Sequence, residues 1–198
     1  MFERIDQQLF LFINSLNSPF FDQVMHTLSG KLIWVPLYLA ILVFLGIKYK
    51  RKFLIIIIFI ILAATLADQS SVIVKNIVQR LRPCHEPSIM GIVHLVNGEC
   101  GGVYGFVSSH ATNTFDVALI SLSFIRKRWY SICIILWACV ICYSRVYIGV
   151  HYPGDVLCGA ILGSFIGWGI YSLYVITDKR ILINKPYFNQ TPNYHPEP

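Results

Sequence analysis

The chain has 198 residues, of which 56% are hydrophobic and only 13% charged, and its formal charge is +6. A soluble domain carries about 25% charged residues. Here the apolar residues fall in long runs, which excludes an ordinary soluble fold and points to a single integral membrane domain. The bases cluster at the ends of those runs, the membrane pattern, so no nucleic-acid partner is expected.

Residues 1–30 are mixed. Phe2, Ile5, Leu9, Phe12 and Ile13 share one helical face and alternate with Glu3, Arg4, Asp6, Gln7 and Gln8, which fits an amphipathic helix lying in the membrane interface. Asn17-Ser18-Pro19 breaks it, and residues 20–29 can form a second short helix. No small-residue cleavage site precedes the first apolar run, so insertion is expected to use the spans themselves.

Five spans follow, at about residues 32–47, 53–74, 107–125, 129–147 and 155–176. A loop rich in Gly, Cys and Glu occupies residues 84–106, and residues 178–198 read as a polar, proline-rich tail. The expected fold is all-α, a bundle of about five transmembrane helices plus the interfacial N-terminal helix. Its divisions are 1–30, 31–177 and 178–198. The basic clusters at 48–52, 126–128 and 179–180 fall on one side of such a bundle, which the positive-inside rule makes cytoplasmic. Lys75, Arg82, the 84–106 loop and Arg145 through Asp155 then share the opposite side. Cys84 and Cys100 bracket the outward loop, where an oxidising compartment permits a disulfide; Cys133, Cys139, Cys142 and Cys158 lie within spans as packing residues.

Three outward segments carry chemistry. Lys75 and Arg82, seven residues apart, would lie on one face of a continuing helix, about 10 Å along its axis, and aim two cations at one anion. Ser108-Ser109-His110 opens the third span, where free backbone N–H groups and the helix dipole favour an anion. In the third segment, Ser144 and Arg145 precede His151 and Asp155. Arg145 offers a bidentate fork. The Asp155 carboxylate, one turn on, can fix the tautomer of the His151 imidazole, as a base and its orienting partner require. No Cys/His cluster has zinc spacing, so no metal is expected. Asp68, seven residues before Lys75, either fixes that lysine or makes a helix–helix hydrogen bond. Asp116 reads as structural, and Tyr104, Tyr143, Tyr147 and Tyr152 as an aromatic belt.

Lys75-x6-Arg82-Pro83, Ser108-Ser109-His110 and Ser144-Arg145-x5-His151-x3-Asp155 resemble, in order and spacing, the three signature blocks of the type 2 phosphatidic acid phosphatase (PAP2) superfamily. The resemblance covers roughly residues 60–175. The family's second block is Pro-Ser-Gly-His, where this chain has Val107-Ser108-Ser109-His110. The resemblance implies that His151 is the nucleophile and forms a phosphohistidine, oriented by Asp155. His110 protonates the leaving oxygen and then activates water. Lys75, Arg82, Ser108, Arg145 and backbone N–H groups near Ser109 hold the phosphate. These roles suit phosphoryl transfer, which rests on positioning and charge stabilisation, and they imply a bell-shaped pH–rate profile and no cofactor.

The expected activity is hydrolysis of a membrane lipid phosphate or pyrophosphate at the periplasmic face of a bacterial inner membrane. Undecaprenyl pyrophosphate is favoured on the chain's small size, with phosphatidic acid, phosphatidylglycerol phosphate and lipid A also fitting. The alternatives are a lipid phosphotransferase using the same phosphohistidine and a non-catalytic lipid-binding or transport protein.

Overall fold

A computed structural model describes residues 2–183. Among these, seven α-helices run in the order α1 (Phe2–Ser15), α2 (Pro19–Ser29), α3 (Val35–Tyr49), α4 (Phe53–Val78), α5 (Ser109–Ile125), α6 (Arg128–Tyr147) and α7 (Pro153–Ile183). Leu32–Val78, which holds α3 and α4, together with Arg128–Tyr147 and Pro153–Lys179, is long and apolar enough to cross a membrane. Leu39, Ile58, Ile61, Leu136, Leu157 and Phe165 point outward and exposed, as expected of side chains whose solvent is lipid.

The 17-residue α5 is the hub, packed against α4, α6 and α7. Its tightest contact is with α7 and has a simple cause. Gly159, Gly163 and Gly167 recur every four residues along one face of α7, against the carbonyls of Ser108, just before α5, and of Thr112 and Asp116 within it. A Cβ on Gly163 would stand 2.0 Å from the Thr112 carbonyl oxygen, and one on Gly159 would stand 2.7 Å from that of Ser108. In lipid no hydrophobic effect drives helices together, so backbones approach where side chains are small. α4 presents a similar strip of Ala63, Ala67 and Ser71, all fully buried.

The basic clusters gather at one end of the bundle. Lys48 donates to the carbonyls of Phe124 (2.8 Å) and Ile125 (3.0 Å), the exposed C-terminal carbonyls of α5. Lys52 pairs with Asp178 at 2.8 Å. α1, α2 and the 79–106 segment cover the other end. Asn14 ties α1 to both neighbours, donating to the Tyr147 carbonyl (2.8 Å) and accepting from the His94 N–H (2.8 Å). Tyr147 donates to Asp22 of α2 at 2.9 Å. Cys84 and Cys100 are joined as a disulfide, Cα atoms 6.1 Å apart.

Three expectations are corrected. α4 ends at Val78, because Gln79 turns left-handed (φ 51) and its N–H caps the Lys75 carbonyl at 2.9 Å; Arg82 is therefore not on the helix of Lys75. α7 continues past residue 176 to Ile183, and residues 184–198 of the expected tail lie outside the described residues. Tyr147 and Tyr152 are buried and hold protein groups, so they are not lipid-facing members of an aromatic belt.

Candidate active site

At the end opposite the basic clusters, a cavity of about 740 Å³ opens between α3, α4, α5 and α6. Lys75, Arg82, Ser109, His110, Arg145 and His151 line it. Three segments far apart in sequence thus converge on one hollow.

Arg82 reaches the cavity by a route the seven-residue spacing did not foresee. After the left-handed Gln79 the chain runs extended, and Leu81 bridges to Tyr104. This turns the Arg82 side chain back beneath the loop. Its guanidinium donates to three carbonyls, those of Tyr104 (3.2 Å), Cys100 (3.2 Å) and Val150 (3.4 Å). The cation is thus fixed in place without a carboxylate that would cancel its charge.

Arg145 comes from the last turn of α6. One of its terminal nitrogens donates to the Ser29 hydroxyl at the end of α2, while its Nε is buried with no partner. An unmet donor on a buried cation costs free energy unless an acceptor arrives, and this one sits at the cavity wall. Lys75 donates to the Ser109 hydroxyl, which also lies 2.7 Å from Ser71 Oγ.

His151 and Asp155 flank the start of α7 and are 1% and 0% exposed. His151 Nδ1 lies 3.5 Å from Asp155 Oδ2, close enough to face it but without a hydrogen bond between them. Asp155 is held more firmly elsewhere: Oδ2 accepts the Tyr152 N–H at 3.0 Å and Oδ1 accepts Arg80 at 2.8 Å. Gly105 packs so closely here that a Cβ would fall 2.9 Å from Asp155 Oδ2. Burial, and then the nearby Arg82, Arg145 and Lys75, push the His151 imidazole well below its ordinary pKa of 6.5. The ring is therefore neutral at physiological pH.

Two predicted residues do not line the cavity. Asp155 stands behind His151. Ser108 is fully buried; its N–H donates to the Asp155 carbonyl at 3.0 Å, and its hydroxyl has no partner and does not cap α5. Asp68 is exposed rather than buried, and it accepts from Asn113 at 3.3 Å while Lys75 bonds Ser109 instead. Of its two readings, the helix–helix hydrogen bond is the one observed. Sequence reasoning gave no role to Arg80 or Asp6, which sit next to Asp155. Arg80 passed as one more base at a span end, and Asp6 as part of the polar face of α1; neither carries a spacing signal.

The PAP2 superfamily model matches residues 52–178. The chain is 46% identical over 185 residues to the lipid A 4'-phosphatase of Bacteroides thetaiotaomicron, covering 92% of this chain and 82% of that protein. It is 34% identical over 180 residues to the lipid A 4'-phosphatase of Porphyromonas gingivalis, covering 90% and 76%. The crystal structure of Aquifex aeolicus LpxE superposes with a TM-score of 0.66 at 27% identity, over 83% of this chain and 93% of that one. With the signature blocks converging on one cavity in an all-helical membrane bundle, the chain belongs to the PAP2 superfamily and is a membrane lipid phosphatase.

Proposed function

We propose that this protein removes the 4'-phosphate of lipid A through a phosphohistidine, at the periplasmic face of a bacterial inner membrane. The observation that carries the chemistry is a single cavity whose wall brings Lys75, Arg82 and Arg145 together with His110 and His151, with the buried Arg145 Nε lacking an acceptor. A tetrahedral phosphate supplies the missing acceptor and the charge that Lys75, Arg82 and Arg145 lack.

In the first step, Nε2 of the neutral His151 attacks phosphorus, since Nδ1 faces Asp155. The bond to the lipid oxygen breaks, and His110 gives that oxygen a proton. Asp155 steadies the imidazolium that forms. In the second step, His110 takes a proton from water, the water oxygen attacks phosphorus, and the nitrogen–phosphorus bond breaks to release inorganic phosphate. Lys75, Arg82, Arg145 and the N–H groups at the start of α5 hold the phosphate oxygens throughout. Ser109 steadies Lys75, and Ser108 steadies the backbone of Asp155. The phosphatase proper spans residues 31–177, served by the interfacial segment 1–30.

Two observations favour lipid A over the undecaprenyl pyrophosphate preferred from sequence. The relatives at 46% and 34% identity are named for lipid A, and the small size that favoured the prenyl lipid fits both substrates equally. The deeper wall of the cavity also carries Tyr38, Asp68, Asn113 and Thr114. Polar groups at membrane depth facing a cavity read as functional; a sugar-borne phosphate brings hydroxyl and amide partners, whereas a prenyl chain brings none. Undecaprenyl pyrophosphate remains the second reading. Brief incubation with 4'-³²P-labelled lipid A, quenched in alkali, should leave acid-labile, alkali-stable label on the protein and none on a His151→Ala variant. Equal labelling of both would refute the histidine route.

A further inference from the structure

We infer that Asp6 and Arg80 are positioning residues for catalysis, so that the N-terminal helix α1 completes the active site. The inference rests on the proposed role of Asp155 as the partner of His151. Asp155 is fully buried, and one oxygen alone faces His151. Its other oxygen is held by Arg80 Nη1 at 2.8 Å, while Arg80 Nη2 reaches Asp6 Oδ2 at 2.7 Å. The guanidinium thus spends one prong on each carboxylate, a use of its planar fork that a lysine point charge cannot reproduce.

The arrangement closes into a ring. Asp6 Oδ1 accepts the Gly154 N–H at 2.7 Å, in the first turn of α7 and one residue before Asp155. That carboxylate both neutralises Arg80 and meets an N–H that the helix start leaves free. A Cβ on Gly154 would lie 2.8 Å from Asp6 Oδ2, so glycine here is what lets α1 approach. The Arg80 guanidinium also stacks over the Tyr152 ring, 4.2 Å from its centre, and Phe10 of α1 packs edge-on against the same ring. The Arg80 carbonyl accepts the Gly105 N–H at 2.8 Å, which seats Gly105 against Asp155. Each contact restricts the carboxylate that faces His151, and none touches the cavity: Asp6 and Arg80 are absent from its wall.

Residues that orient a catalytic ligand through hydrogen bonds typically matter by about 10- to 100-fold when removed, as second-layer partners at metal sites do. A group acting only through orientation alters kcat and leaves substrate binding alone. α1 also turns Ile5, Leu9 and Phe12 outward, on the side away from Asp6, Phe10 and Asn14. The helix that holds Arg80 and the Gly154 N–H therefore offers its opposite face to lipid.

The test is steady-state phosphate release from lipid A by full-length Asp6→Asn, Arg80→Gln, Arg80→Lys and doubly substituted Asp6→Asn/Arg80→Gln proteins, with Asp155→Asn alongside. Melting in detergent is recorded for each, and rates are normalised to folded protein. Arg80→Gln should lower kcat by about 10- to 100-fold with KM within about twofold. Arg80→Lys should restore only part of the loss, and the double variant should be no worse than Arg80→Gln, because both act on one carboxylate. A folded Arg80→Gln protein with normal kcat would overturn the inference, and so would a raised KM at unchanged kcat. A loss that disappears on normalisation to folded protein would reduce the ring to a stability role and overturn it equally. If Asp155→Asn itself keeps full kcat, the proposed role of Asp155 fails first.

Discussion

The hydroxyl of Ser109 accepts a hydrogen bond from the Lys75 ammonium at the cavity wall, at the position where the family's second block carries glycine. A cation left alone beside Arg82 and Arg145 would be repelled toward solvent; the hydroxyl holds it where a phosphate can reach it. Lys75→Met should lower kcat/KM by about 10²- to 10³-fold, the usual cost of one charge-stabilising donor. Ser109→Ala should cost less than about tenfold and add nothing in the Lys75→Met background. Equal losses in the two single variants would mean that the Ser109 hydroxyl touches the substrate itself.

The contact of Gly163 with Thr112 sets the bundle. A methyl at Gly163 would sit within bonding range of a backbone oxygen, whereas nothing lies within 4 Å of a Cβ on Gly169 of the same helix. Gly163→Ala should destabilise by more than the 1–3 kcal/mol or so typical of overpacking, since two backbones must part. Gly169→Ala should melt like the parent. Matching melting curves for parent and Gly163→Ala would contradict the close α5–α7 approach.

The environment of His151 fixes the direction of two pH effects. Its imidazole is held well below 6.5 by burial first and by Arg82, Arg145 and Lys75 after it. The acid limb of kcat/KM, which reports the free enzyme's groups, should therefore lie well below pH 6.5. For stability, the unfolded chain binds a proton on His151 that the native state refuses. Stability is thus full above the unfolded value of about 6.5 and falls as pH drops below it. An acid limb centred at or above pH 6.5, or a melting temperature that rises from pH 7 to 5, would contradict this environment.

The disulfide lies two residues from Arg82, which is proposed to bind the phosphate. Cys84 follows Arg82-Pro83, and the carbonyl of Cys100 accepts from the Arg82 guanidinium. Replacing both cysteines with serine should loosen Arg82 and raise KM several-fold. It should also remove about 3 kcal/mol of loop-closure stabilisation for a span of this length. Unchanged KM and unchanged melting would show that the loop is held by its other contacts.

Much of this architecture was legible because membrane helices announce themselves by length and apolarity. Three catalytic-type blocks at fixed spacing also survive any error in helix ends. The hidden parts share a physical cause. Gln79 ends α4 through a left-handed turn that no neighbouring glycine or proline advertises, so Lys75 and Arg82 seemed to share a helix. The glycines of α7 carry a four-residue period that signals close packing, but their partners are carbonyls of α5, which no side-chain pattern marks. Asp6 and Arg80 are 74 residues apart and meet only in the folded protein. Their charges were equally consistent with a solvated helix face and a snorkelling base.

The most direct measurement is phosphate release by the purified protein in detergent, with EDTA present, from lipid A and from undecaprenyl pyrophosphate, beside the His151→Ala variant. Release from lipid A that the variant loses, at a kcat/KM well above that for the prenyl lipid, is the predicted result. Release that His151→Ala retains, or a clear preference for undecaprenyl pyrophosphate, would contradict the proposed function.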